Sequence, residues 1–500
     1  ASPVTAGAIS GVAGGAVSNV TINVADNAAN PLVQIASIGT DIGTFTVTQS
    51  SGVTITGTTT VQTVTLTDTR DGQTIDFQGG VTVTTFNTTG AGYSVRFGSG
   101  GTITNAVTMQ HTGTLTLANG LTCTGGITAT APSAKNIAGT IAAAGTGVIN
   151  LGITGTTVTG NATVGGTSTG QITLGAVTVN DGVTLTLGGG AASPVTAGAI
   201  SGVAGGAVSH ITVNSANDVL LDSISTDIDS ISIIQAQNLT ITGAVTAISF
   251  TQNAGSGTTT CNGPQVYSGA FSFTGTNLIL NNSLTTGGNF QFTGTALTVK
   301  NTMNVGTTIS ATATGAITIS NANITSTGDQ TWSAVAQGLR VTGGGTWQAG
   351  GAGISLPNTD LYLDHNGGTI ILNANLSCRN LYFYRGNLNI AGRTVTTSAN
   401  LAMWGAAYNP DDAEWTGADT RYAYFPAPTL VYYPAGGTYN AGTGLFSTAP
   451  NAAFAAGGLA GSTLTVGGNF YDNGVSMNQS ASTLKIPDNS SSNPLYNTTS

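Results

Sequence analysis

The sequence predicts an all-β chain folded as a parallel β-helix, a β-solenoid with rungs of about 19–20 residues. Three observations carry that expectation. Only 6% of the 500 residues are charged while 73 are glycine. Thr, Val and Ile recur in short alternating runs. The chain also repeats itself at two different lengths.

The composition excludes the usual helical surface. Glu occurs once, at Glu414, and Lys three times, at Lys135, Lys300 and Lys485. Exposed helices draw on Glu, Lys, Gln and Arg, so a chain this poor in them cannot cover itself with helices. Thr, Val and Ile favour pleated, half-buried strands, and Gly and Asn supply turns. Disordered chains lack apolar and β-branched residues, whereas 40% of this chain is hydrophobic. It can bury a continuous core.

Charge and sulfur narrow the partners. The net charge is −9, and ten basic residues spread over the chain make no patch for nucleic acid. The uncharged stretch 136–180 is long enough to span a membrane but alternates and is broken throughout by Gly and Thr, so no membrane-spanning helix is expected. A transmembrane barrel would need aromatic girdles and alternating strands of about ten residues, and here the aromatics gather near one end of the chain. Cys123, Cys261 and Cys378 lie more than a hundred residues apart and fit no disulfide framework or metal motif. They read as buried thiols serving as small apolar residues. Starting at Ala1 and ending in a polar tail, the chain reads as a processed part of something longer.

Strand-like runs follow one another at short spacing, at 20–24, 45–48, 81–84, 114–117, 184–187, 239–242 and 369–372. Turn signals lie between them, among them Asn119-Gly120, Asp181-Gly182, Asn262-Gly263 and Asn366-Gly367.

The repeats decide how such strands are used. Residues 1–18, ASPVTAGAISGVAGGAVS, recur unchanged at 192–209. The likeness then fades, with Thr40-Asp41-Ile42 answering Thr226-Asp227-Ile228 and residues 53–57 answering 239–243, which marks a duplication with small turn deletions. A finer step lies inside. Phe271 and Phe273 match Phe290 and Phe292, nineteen residues on, and Leu284 matches Met303. So short a unit cannot enclose a core alone, so copies must stack, with equivalent residues about 4.8 Å apart along the axis. The phenylalanines would then form a structural ladder. Tandem immunoglobulin-like sandwiches have similar strand spacing, but a nineteen-residue repeat is too short for them.

This gives two solenoid repeat units, 1–191 and 192–405, the second including its continuation. The stretch 406–450 is rich in Pro and Tyr and reads as a loop, insertion or cap, and 451–500 as further strands and a polar tail. The last hundred residues hold seven of the thirteen Pro and eight of the thirteen Tyr, with Trp404 and Trp415.

Several phrases resemble the repetitive secreted bacterial exoproteins of the filamentous-haemagglutinin and autotransporter-adhesin type. Gly263-Pro264-Gln265-Val266-Tyr267-Ser268-Gly269 and Gly328-Asp329-Gln330-Thr331-Trp332-Ser333 are similar to their G-D-Q-x-aromatic-S-G phrase. Leu464-Thr465-Val466-Gly467-Gly468-Asn469-Phe470 and Gly287-Gly288-Asn289-Phe290 are similar to their L-T-V-G-G-N-F phrase. The likeness covers about residues 230–480. It implies a right-handed β-helix, secretion to the cell surface, and a role in adhesion, biofilm or surface layers, and it brings no catalytic residues.

Candidate chemistry is sparse. His111, His210 and His365 are far apart and offer no zinc-type spacing. His210 replaces Asn19 of the first repeat copy, as a tolerant surface position would. Asp360, Asp364, His365, Arg379, Arg385 and Arg393 form the densest cluster of functional groups. Asp364 and Arg385 are about one rung apart and would be stacked neighbours. These residues read as lateral charge pairs on a solenoid. The enzymatic alternative is a lyase-like, polysaccharide-acting β-helix using the same cluster, although calcium wants more converging oxygens than these carboxylates offer. Asp411, Asp412, Glu414 and Asp419 make the one tight acidic group and the candidate calcium site; no other cofactor is indicated. Tyr408, Trp415, Tyr422, Tyr424, Tyr432 and Tyr433 around it are candidate contacts for host or matrix glycans or proteins. T-x-T runs such as Thr184–Thr186 put Thr on one strand face, as in ice-binding surfaces, but their spacing is irregular. The expected function is a non-enzymatic, extracellular structural or adhesive protein that self-associates end to end or laterally through its open sheet edges.

Overall fold

The computed structural model describes residues 4–398 apart from 26–31, 321–322 and 390–392, and beyond them eight strands, the last of them Thr483–Lys485. Every regular element among the described residues is a β-strand, and the paired strands run parallel. The chain is an all-β parallel β-solenoid whose coils group into two units, 1–282 and 283–500. No helix is long and apolar enough to cross a membrane among the described residues.

In the first unit a coil consists of three short strands. Ile224–Ser225, Ile228–Gln235 and Leu239–Ile241 make one, and Val245–Ala247, Ser249–Gln252 and Thr258–Cys261 the next. Each strand lies beside its counterpart one coil on. The shortest step agrees with the repeat read from the sequence, as Phe45 pairs with Val64, 19 residues later. Ile200 pairs with Ile224, 24 residues later, because longer turns are taken up at the corners.

Alternation of side chains explains why the runs fold this way. In Thr184-Leu185-Thr186-Leu187 the leucines are buried and the threonines half-exposed. Successive coils keep this phase, so Leu185, Ile211, Ile231, Phe250 and Phe271 form one inward column. Thr186, Thr212, Ser232, Thr251 and Ser272 form the outward column beside it. Each large inward side chain contributes about 1.5–3 kcal/mol by leaving water. Aromatic rings in these columns stack along the axis, Phe250 on Phe271 with centroids 4.6 Å apart and Phe77 on Phe97 at 5.6 Å. Phe273 is buried as well.

The duplicated segment folds the same way twice, down to its irregularities. Val4 pairs with Val33 as Val195 pairs with Val219. Ser18–Asn23 pairs with Ile42–Gln49, and Ser209–Asn214 with Ile228–Gln235, with register shifts at the same two places. The shared Thr-Asp-Ile phrase is the turn before these partners. Asp41 and Asp227 both adopt left-handed backbone, with φ of 60° and 51°, which Asp tolerates better than most residues.

In the second unit Phe290 and Phe292 are fully buried and pair in register with Ile309 and Ala311. Small Ala311 lies between Phe292 and Trp332 in the same column, which leaves room for the indole. Within the 406–450 stretch the strands Thr429–Val431, Thr438–Ala441 and Phe446–Thr448 pair in parallel with residues 387–389, 394–397 and 401–403. Coil pairing thus includes these three strands; the rest of 406–450 lies outside the described residues.

Candidate functional site

The cluster singled out from the sequence lies on the second unit, where Leu361–Leu372 runs beside Leu381–Asn389. Asp360 stands just before the first of these strands and is buried. Its nineteen-residue spacing to Arg379 is one coil, so the two residues meet at a corner. Arg379 donates two parallel hydrogen bonds, Nε to Asp360 Oδ1 at 2.7 Å and Nη2 to Oδ2 at 2.8 Å. Asn380 Nδ2 donates a third at 2.7 Å, and the Tyr362 hydroxyl a long fourth at 3.4 Å. Pairing with Asp360 raises the Arg379 pKa further above its ordinary value. Backbone bonds seat the group, with Leu339 N donating to Asp360 O and Arg379 N to Thr359 O.

The other members of the cluster divide. Asp364 pairs in register with Arg385, as their spacing suggested; the side chains of His365 and Arg385 lie outside the described residues. Arg393 is exposed. Beside Asp360, Arg340, Tyr362 and Tyr382 occupy one outward column, and the two tyrosine rings stack with centroids 5.1 Å apart. A carboxylate has about four acceptor positions, and Arg379 and Asn380 take three of those of Asp360 at 2.7–2.8 Å. The same device occurs in the first unit, where Arg96 Nη1 donates to Asp76 Oδ1 at 2.9 Å across one coil.

The recurring Q-x-aromatic phrases prove to be core devices. Gln265 and Tyr267 both face inward, and the tyrosine hydroxyl donates to Gln265 Oε1 at 2.9 Å. Gln330 does the same for two indoles. Its Oε1 accepts from Trp332 Nε1 at 3.2 Å and from Trp347 Nε1 at 2.5 Å, while its Nε2 donates to Gln348 O and Ser326 Oγ. A glutamine two residues before an inward aromatic reaches the polar edge of that ring, which is otherwise unsatisfied in an apolar core.

The histidines have different surroundings. His210 Nδ1 lies 2.9 Å from Ser230 Oγ and 3.3 Å from Asp229 Oδ2. Both contacts use one ring nitrogen, so the three residues do not make a catalytic relay, in which the base needs separate nitrogens for its two partners. In the first copy Asn19 Oδ1 accepts from Thr44 N at 3.1 Å, so this position makes an inter-coil contact in both copies. His111 is fully buried, stacked on Tyr93 with centroids 5.6 Å apart, and neither ring nitrogen has a hydrogen-bond partner. Burial pulls its pKa down to about 4.

Sequence reasoning placed Asp360 and Arg379 in one cluster without pairing them, and gave neither His111 nor Lys135 a place in the core. Lys135 faces inward in register with Leu115, and its ammonium donates to Pro132 O at 3.2 Å and to Thr154 Oγ1. Burial lowers its pKa. The three cysteines are buried free thiols, each pushed up to about 12 by burial. The acidic group Asp411, Asp412, Glu414 and Asp419, and the aromatics Tyr408, Trp415, Tyr422, Tyr424, Tyr432 and Tyr433, lie outside the described residues. No three His, Cys, Asp or Glu residues converge to hold a metal among the described residues. The chain matches no family model, no curated protein and no solved structure.

Proposed function

We propose that this chain is a non-enzymatic structural or adhesive protein of a bacterial surface, a β-solenoid segment of a fibre, adhesin or surface layer. The observation that carries the reading is the engagement of Asp360 by Arg379 and Asn380 of the next coil. The best-developed charged constellation on the second unit spends its hydrogen-bonding capacity on holding neighbouring coils together. The Asp76–Arg96 pair and the long hydroxyl columns support the same reading, because their side chains serve the stack.

Low charge and outward Thr, Ser and Asn suit a surface that offers many weak polar contacts. A shallow groove on the first unit, lined by Gln171, Thr196, Asp218, Leu220, Asn238 and Thr240, frames an exposed leucine with amide, hydroxyl and carboxylate groups. Such a mixture suits glycan or protein contacts outside the cell.

The test is retention of the purified chain on immobilised glycans and extracellular-matrix proteins, run beside incubation with pectin-like polyuronates. Saturable retention without release of unsaturated sugars is expected. Release of unsaturated sugars that is abolished in an Arg385→Ala variant would establish the lyase chemistry instead.

A further inference from the structure

The T-x-T runs look irregular along the sequence, yet three of them fall into register on successive coils of the first unit. Thr60, Thr82, Thr102 and Thr122 are partners in neighbouring strands. Two residues on stand Gln62, Thr84, Thr104 and Thr124. The ladder continues to them, with Thr104 N donating to Val83 O and Thr124 N to Ile103 O. Seven of these eight residues are exposed and Thr122 is half-buried. Between the two columns Val61, Val83, Ile103 and Cys123 face inward and are buried, so the array stands on a packed core.

Strand geometry makes this a two-dimensional lattice. Partners on neighbouring coils lie about 4.8 Å apart, and alternate residues of one strand about 6.6 Å apart. Threonine is stiff at χ1, so each position holds a hydroxyl and a methyl in a fixed place. The strands and the turns leading into them, residues 57–62, 79–84, 99–104 and 119–124, contain no Asp, Glu, Lys or Arg. The field is uncharged across four coils.

Its hydroxyls are not used inside the chain. Elsewhere threonine hydroxyls donate to a carbonyl of the preceding coil. Thr56 Oγ1 does so to Ala36 O at 3.2 Å, Thr112 Oγ1 to Ala91 O at 3.3 Å and Thr276 Oγ1 to Gly255 O at 2.9 Å. Among the described residues, none of the seven threonine side chains of the array has a hydrogen-bond partner within the chain.

A soluble partner is recognised through pockets, charges or aromatic faces, and the eight residues of this field offer none of them. What they offer is a repeat. A partner with a matching repeat meets every position at once, so many weak contacts add without a pocket. We propose that the array is an ice-binding face, its hydroxyls and methyls ordering water into the spacing at which the ice lattice continues. Ice is an uncharged, hydrogen-bonded crystal whose repeats lie close to both spacings of the array. The packed core holds the array in place before contact, which keeps the ordering cost of binding low. The inference goes beyond the structural or adhesive role proposed above and stands independently of it.

The experiment is ice growth in the presence of the whole purified chain. It is read as crystal shape, as the gap between melting and freezing temperatures, and as partition of the chain into slowly grown ice. The wild type should facet the crystals, open a gap that widens with concentration, and be enriched in the ice. Thr102→Tyr together with Thr104→Tyr should abolish all three with an unchanged circular dichroism spectrum, because both positions are exposed. Thr84→Tyr on the neighbouring coil should shrink the gap severalfold by itself. Thr246→Tyr, exposed outside the array, should leave the gap as in the wild type. Round crystals with no gap for the wild type, or a gap that the array variants keep, overturn the ice-binding face. So does retention on microcrystalline cellulose or chitin with none on ice, which assigns the array to a crystalline glycan instead. Retention on soluble glycans or matrix proteins by a chain inert to ice would leave the adhesive reading standing without it.

Discussion

Gln330 gives the most direct quantitative test of how the core is held. It is fully buried, and its carbonyl oxygen is the acceptor for two buried indole N–H groups, those of Trp332 and Trp347. Replacing it by leucine keeps most of the volume but orphans both donors. A buried polar group left unpaired costs about 1–3 kcal/mol, so the two cost about 2–6. The better burial of an apolar side chain returns about 1–2 kcal/mol, leaving a net loss of about 3 kcal/mol. For a cooperative unit of about 200 residues that lowers the thermal midpoint by about 6–12 °C. The assay is thermal unfolding followed by circular dichroism, which needs neither indole. The decisive step is a double-mutant cycle. In a Trp332→Phe, Trp347→Phe background no indole donor is left to orphan, so Gln330→Leu should cost about 1 kcal/mol or less. An equal loss in both backgrounds would refute the role assigned to the glutamine.

Three further outcomes follow from the same structure. His111 is held neutral by burial, with a folded pKa of about 4 against an ordinary 6.5. The unfolded chain therefore binds its proton first, so stability is full above pH 6.5 and falls by up to about 3 kcal/mol as the pH drops to 4. Urea titrations at pH 7 and pH 4.5 should show the difference, and His111→Phe should flatten it. Arg379→Ala leaves Asp360 with Asn380 and Tyr362 alone; because Arg379 is half-exposed, the loss should be only about 1–2 kcal/mol, and Arg379→Lys should recover part of it on chemical denaturation. Cys123, Cys261 and Cys378 should resist a thiol-specific reagent at pH 8 in the folded chain and react fully in denaturant, since burial holds them as thiols.

The fold was legible because a solenoid writes its period into the sequence. Phe271 and Phe290 stand nineteen residues apart, and that step already implies stacked coils. The variable part of the step was hidden, because turn insertions such as those between Ile200 and Ile224 break the spacing without breaking the register. The charge cluster was half legible. Asp364 and Arg385 were matched by their spacing, but Asp360 and Arg379 carry the shorter nineteen-residue interval and make a two-pronged ion pair. The Q-x-aromatic phrases were visible as motifs while their meaning was not, since nothing in a linear phrase says that both residues face inward. Lys135 left a faint signal, for it alternates in phase with buried Ile137. His111 left none, because it sits in an irregular turn.

A surface made of repeating columns also changes where function can be read. In a compact enzyme, polar residues converge on one cleft; on a stacked coil they are spread along outward columns of nearly uniform chemistry. A site then shows as an interruption of a column. Thr196, Leu220 and Thr240 form one such column, with an exposed leucine where hydroxyls are the rule. Thr318, Arg340, Tyr362 and Tyr382 form another, in which threonine gives way to a cation and two stacked rings beside the Asp360 corner. Variants at Leu220 and at Arg340 would test whether these two interruptions meet a partner: binding that survives both would place the contact elsewhere.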